Sequence, residues 1–145
     1  MNNASLCDME CFARTIWGEA RGEGAEGQIA VAWVMRNRAL AAHLFSERMK
    51  RAHPLYGDGT LVGACRAPRQ FSAWNAEDPN RAKLLRAGFD DAAFCRAFAV
   101  ACQVWGGLIA DPTAGATHYH HRAIEPVWAK SMKPKALIGA HMFYG

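Results

Sequence analysis

Nowhere among the 145 residues is there an apolar run long enough to cross a bilayer, for which about 20 consecutive apolar residues are required. Stable membrane insertion is therefore not expected. The opening residues Met1-Asn2-Asn3-Ala4-Ser5 show no basic stretch leading into an apolar segment and a cleavage site, so the chain is expected to be made in the cytoplasm without a signal peptide. No Cys-x-x-Cys pair and no His-Glu-x-x-His motif occurs, which argues against a structural zinc site and against a zinc-peptidase helix. Internal repeats, low-complexity tracts and linkers are also missing, and residues 1–145 read as one domain.

What the chain does contain is 51% hydrophobic and 21% charged residues, enough apolar material for a sizeable core. Five tryptophans and seven phenylalanines are many for so short a chain. Core packing takes most of them, and the remainder are candidates for a groove, where flat aromatic faces suit the apolar faces of sugar rings. The net charge of +4 favours approach to an anionic polymer. Its basic residues are scattered and match no nucleic-acid-binding motif, so no nucleic-acid partner is expected. The five cysteines, an odd number, do not form a disulfide framework. Cys7, Cys11, Cys95 and Cys102 fall at helical spacings and read as small buried apolar residues, and free thiols point to synthesis in a reducing compartment.

Apolar periodicity places a helix after Ser5, an N-cap residue, carrying Leu6, Met9, Ala13, Ile16 and Trp17 and ending near Glu19, where Gly18 to Gly24 break the pattern. A second helix runs from Ala25 to about His43 and carries a wide apolar face. Residues 45–80, punctuated by Pro54, Gly57, Gly59, Gly63, Pro68 and Pro79, read as a long loop with a short helix near Ser46 to Arg51. Asn80 to Arg86 and a stretch capped by Asp90 or Asp91 and stopped by Gly106-Gly107 give two more helices. Extended segments near Ala116 to His120 and Ala136 to Ile138 predict a small ribbon or sheet.

Chemistry concentrates at Thr15-Ile16-Trp17-Gly18-Glu19-Ala20-Arg21-Gly22-Glu23. Glu19 sits where an apolar helix meets a glycine-bearing turn. Desolvation there disfavours the ionised carboxylate, so Glu19 can hold a proton near neutral pH and give it to a leaving group, the usual way a glycosidic bond is broken. The bland alternative is a solvated Glu19, or one paired with Arg21. Three further clusters place hydrogen-bonding groups beside flat apolar surfaces, as a desolvated sugar requires: residues 70–75, 111–119 and 139–144. His118, His120, His121 and His141 raise a zinc alternative, but their spacing does not fit one, and no metal is expected. Cys65 sits in no activating motif for a Cys–His peptidase.

Taken together, Ala13 to Glu23, Gly27 to Arg38, Gln70-Phe71-Ser72, Asp111 to Tyr119 and Ile138 to Tyr144 resemble the SleB/CwlJ cell-wall hydrolase family, five blocks in the family's order. The resemblance implies a lysozyme-like, mainly helical α+β fold related to lytic transglycosylases. It implies cleavage of the bond between N-acetylmuramic acid and N-acetylglucosamine in peptidoglycan glycan strands, with no cofactor. Glu19 would be the catalytic acid and then base, with Trp17, Asn37, Gln70, Phe71, Ser72, Thr117, His118 and Tyr119 contacting substrate. In transglycosylation no second carboxylate is obligatory. Hydrolysis by an N-acetylmuramidase would need one, and Glu23, Glu26 and Asp111 are the candidates.

The chain departs from the family pattern in showing no peptidoglycan-binding repeat and no export signal, from which a stand-alone endolysin released through a holin-type lesion is expected, with a monomer as the default; a spore-germination protein and a housekeeping wall-remodelling enzyme are the alternatives. Two rivals make different predictions. A non-catalytic peptidoglycan-binding module would hold sacculi without releasing muropeptides, and a zinc amidase using His118, His120 or His141 would lose activity to chelators.

Overall fold

The computed structural model of the protein describes residues 4–145, and Met1 to Asn3, part of the stretch read for a leader, lie outside it. In chain order the described residues form α1 (Leu6–Ala20), α2 (Ala25–Met49), α3 (Leu61–Arg66), α4 (Arg81–Arg86), α5 (Ala92–Trp105), β1 (His118–His121), β2 (Pro134–Ile138) and β3 (His141–Tyr144). Short 3₁₀ turns at Ser72–Trp74 and Val127–Ser131 complete the list. This is the expected mainly helical α+β architecture with a small sheet.

α1 begins where the sequence marks it. Ser5 Oγ accepts from the Asp8 amide at 3.2 Å while Asp8 Oδ2 accepts from the Ser5 amide at 2.7 Å, a reciprocal cap that satisfies two otherwise orphaned donors. From there Met9, Phe12, Ala13, Ile16, Trp17 and Ala20 fall on one face and are buried, and each large apolar side chain so buried contributes about 1.5–3 kcal/mol. α5 supplies the facing wall with Phe94, Ala97, Val100, Ala101 and Val104. Asp91 joins the two helices. One of its oxygens accepts from the Ala93 amide at 2.8 Å to cap α5, and the other accepts from Trp17 Nε1 at 3.0 Å.

α2 differs from its expected span. It continues unbroken to Met49, so there is no separate helix at Ser46 to Arg51. Nothing between His43 and Met49 breaks a helix, and the chain turns only at Lys50, in the left-handed region at φ 54° with its amide on the Ser46 carbonyl at 2.8 Å. The region read as loop also contains α3, which Thr60 starts by accepting the Gly63 amide on its hydroxyl at 2.9 Å.

The cysteines require a correction as well. Cys7, Cys95 and Cys102 are exposed and Cys11 is half-buried, because they lie off the buried faces of α1 and α5. Cys65, on α3, is the buried one.

The sheet is antiparallel in the order β1-β3-β2. β3 was not anticipated from sequence, yet it is the central strand. Its register sets Phe143 opposite Tyr119 and His141 opposite His121, and alternation along the strands turns Tyr119 and Phe143 to the core face. Phe143 is fully buried. The sheet thus leans one strand of polar aromatics against the helices at the end of α1.

Candidate active site

Glu19 lies in the last turn of α1 and is partly buried by three elements that come from distant parts of the sequence. From β1, Tyr119 donates its hydroxyl to Glu19 Oε2 at 2.9 Å. The Ala73 amide, in the 3₁₀ turn Ser72–Trp74, also faces the carboxyl, and Arg38 of α2 contributes a positive charge. Among the described residues Glu19 forms no ion pair. Arg21, its proposed bland partner, stacks its guanidinium over the Trp17 ring at 4.3 Å instead.

The turn reaches Glu19 because of a glycine. A Cβ at Gly18 would stand 2.8 Å from Ala73 Cβ and 3.1 Å from Leu84 Cδ1, closer than side chains tolerate. Trp74 then secures the turn by donating its indole N–H to Thr15 Oγ1 at 2.9 Å, one helical turn back on α1.

Burial raises the Glu19 pKa above the usual carboxylate range, with Asp78 adding to the rise. The Tyr119 hydroxyl, the Ala73 amide and Arg38 oppose it by favouring the charged form. Desolvation wins, so the carboxyl keeps its proton to higher pH than an exposed glutamate does. Arg38 is itself 5% exposed. Its Nε donates to the Thr117 carbonyl at 2.6 Å, and its guanidinium lies 4.8 Å over Phe71 and 5.5 Å over Tyr56. Its Nη1 is buried without a hydrogen-bond partner, an unusual state for a cation held beside a carboxyl group.

A half-buried acid beside an aromatic hydroxyl and a buried cation, between a helical body and a small sheet, can protonate a leaving oxygen and afterwards accept a proton back. The family described as Cell Wall Hydrolase matches residues 22–144. This chain belongs to that family. Its fold superposes on the catalytic domain of the germination-specific lytic transglycosylase SleB from Bacillus anthracis with a TM-score of 0.73 at 25% identity, covering 100% of this chain and 99% of that one. The catalytic domain of the Bacillus cereus SleB protein gives 0.70 at 24% identity, with 100% and 94% covered. No curated protein matches the chain in sequence.

Within this cell wall hydrolase the other residues expected at the substrate fall into two groups. Gln70, Ser72, Thr117 and His118 have side chains that are at least partly accessible. Thr117 Oγ1 and His118 Nδ1 are 3.0 Å apart. The remaining three are engaged in internal contacts. Trp17 is 7% exposed with its N–H taken by Asp91, and Phe71 is 1% exposed beneath Arg38. Asn37 donates to Asp111 Oδ2 and to the Ala116 carbonyl, both at 3.0 Å, which fixes the 111–117 loop to α2.

Sequence reasoning missed Arg38, Tyr56 and Trp128. Arg38 had a readable signal, a cation on the buried stripe of α2 four residues after Val34. Trp128 had none. Only the fold brings it within 5.4 Å of His118, 5.6 Å of His120 and 5.5 Å of Tyr144, measured between ring centroids. Among the described residues no three His, Cys, Asp or Glu side chains gather as a metal site. His118 and His120 share one face of β1, whereas His141 lies opposite His121 on the other.

Proposed function

We propose that the protein is a peptidoglycan-degrading glycosidase that cleaves the bond between N-acetylmuramic acid and N-acetylglucosamine, as a lytic transglycosylase. The observation that carries this reading is Glu19: a carboxyl desolvated at a helix end, its Oε2 held by Tyr119 and its proton retained by burial. Glu19 protonates the glycosidic oxygen as the bond to the muramic acid breaks. The resulting carboxylate then takes the proton of the muramic acid's own C6 hydroxyl as that oxygen closes on C1, and the acid is restored. One carboxyl therefore serves both halves of the reaction. Tyr119 and Arg38 stabilise the carboxylate formed between the two steps.

Gln70, Ser72, Thr117 and His118 are the direct substrate contacts in this reading, supported from behind by Trp17, Asn37 and Phe71. The protein works as a monomer and as an endolysin at the cell wall. Its five unpaired cysteines suit synthesis in a reducing compartment before a holin-type release.

The test is mass spectrometry of digested sacculi. Anhydro-muramyl ends are the expected product. Reducing muramic ends would mean a hydrolytic muramidase, and binding without soluble products would mean a non-catalytic module. Glu19→Gln should fold normally and release muropeptides about 10²- to 10⁴-fold more slowly, the contribution of a lost general acid. Near-normal clearing by that variant would sink the assignment.

A further inference from the structure

A second carboxylate stands behind the Glu19 site. Glu23 follows the turn after α1, and its side chain is 16% exposed. Two glycines make its seat: a Cβ at Gly27 would come within 2.9 Å of its carboxyl, and one at Gly139 within 2.6 Å. Gly139 is moreover at φ 57°, where a side chain is strained in any case. Glu23 Oε1 lies 3.2 Å from His141 Nδ1 without hydrogen-bond alignment; the imidazole is only 12% exposed, and burial lowers its pKa and favours the neutral ring. That ring in turn meets Tyr119 edge to face, with centroids 5.2 Å apart and planes at 88°. Tyr119 ends on Glu19.

We infer that Glu23 and His141 are a positioning pair: Glu23 fixes the His141 ring, which holds Tyr119 in the orientation that aims its hydroxyl at Glu19. Both act through Tyr119 in this reading. The inference rests on the reading of Glu19 as the proton donor and adds the residues that hold its partner in place. The arrangement explains why a carboxylate, an imidazole and two glycines from three separate segments meet at one point. Beyond this pair, His141 faces His121 of β1 with ring centroids 5.8 Å apart and feels His120 from the strand's other face, while the titratable groups bearing on Glu19 are Tyr119, Arg38 of α2 and Asp78.

The hydroxyl of Tyr119 favours ionised Glu19, so loosening it must move the titration of Glu19 to higher pH. Carbon-13 NMR of the glutamate carboxyls, with the Glu19 signal assigned from Glu19→Gln, reads this without any assay of lysis. Tyr119→Phe should shift the midpoint upward. His141→Ala and Glu23→Ala should each shift it upward by less, and neither should move it further in a Tyr119→Phe background. Removal of a nearby negative charge acting through space alone would move it downward, so the sign separates the two routes. An unchanged or lowered midpoint in Glu23→Ala, or an upward shift that persists in the double variants, overturns the inference. Should His141→Ala fail to fold, Glu23→Ala carries the test, since its side chain lies at a turn. In lysis, kcat should fall about tenfold in His141→Ala with KM unchanged, well short of the roughly 10²- to 10⁴-fold due to a general acid. If Glu19→Gln still lyses sacculi, the functional reading fails while the titration result stands by itself.

Discussion

A glutamate whose ionised form is disfavoured by folding leaves a thermodynamic trace. Glu19 has its folded pKa raised above the unfolded value by burial, so the wild-type chain gains stability from protonated Glu19 at low pH and loses that gain as pH rises through the raised folded value. Glu19→Gln does not titrate. The variant should therefore match the wild type below the ordinary carboxylate range and be the more thermostable of the two at neutral pH. Thermal melts at matched pH values check this, and a variant less stable at neutral pH than at low pH, relative to wild type, would contradict the burial argument. The same titration governs activity. In the proposed mechanism lysis depends on the acid form and should decline toward alkaline pH through the raised value. At this scale the sequence marked Glu19 as the candidate acid, and the structure shows it partly buried with a raised pKa. The sequence did not reveal what tunes that residue, since Tyr119 lies one hundred positions away.

The site depends on elements being held at close range, and two contacts set that range. Gly18 lets the Ser72–Trp74 turn lie against α1. Gly18→Ala adds about 1 kcal/mol of helix propensity and introduces overpacking of about 1–3 kcal/mol. A net loss of up to about 2 kcal/mol is expected in denaturant melts, with several-fold slower lysis because Ala73 is displaced from Glu19. The second contact is Asn37, which joins α2 to the 111–117 loop through two hydrogen bonds. Asn37→Ala leaves the Ala116 carbonyl and Asp111 without those donors and should cost about 1–3 kcal/mol. It also removes one of the groups, with Thr113 and the Gly115 amide, that keep the Asp111 carboxyl below its usual range. Here legibility from sequence was uneven. α1 was readable because Ser5 and Asp8 cap it and its apolar spacing is regular. α2 was read as ending near His43, whereas the actual stop is Lys50, a residue whose left-handed conformation nothing in its sequence type announces. α3 was missed because Gly63 lies within it.

Across the whole molecule, charge governs encounter more than architecture does. With a net charge of +4, binding to an anionic wall should quicken at low ionic strength and slow as salt approaches about 0.15 M, where the screening length is about 8 Å. Initial rates of sacculus clearing across a salt series read this directly, and a salt-independent rate would argue against a steering role for the charge. Among the described residues no helix is long and apolar enough to cross a membrane.

What the linear chain determined is local and periodic: the capped, amphipathic α1 and α5, the mainly helical class, and the placing of one carboxyl where a helix ends in glycine. Those follow from spacing, capping and conformational preference, all of which act within a few residues. Only the tertiary structure decided which groups surround that carboxyl. The sheet carries Tyr119 to Glu19, α2 carries Arg38, and the β2–β3 hairpin carries Gly139 and His141 to Glu23. Proton affinity in a partly desolvated site depends on neighbours within a few ångströms, and the order of residues along a chain does not specify which distant ones those will be.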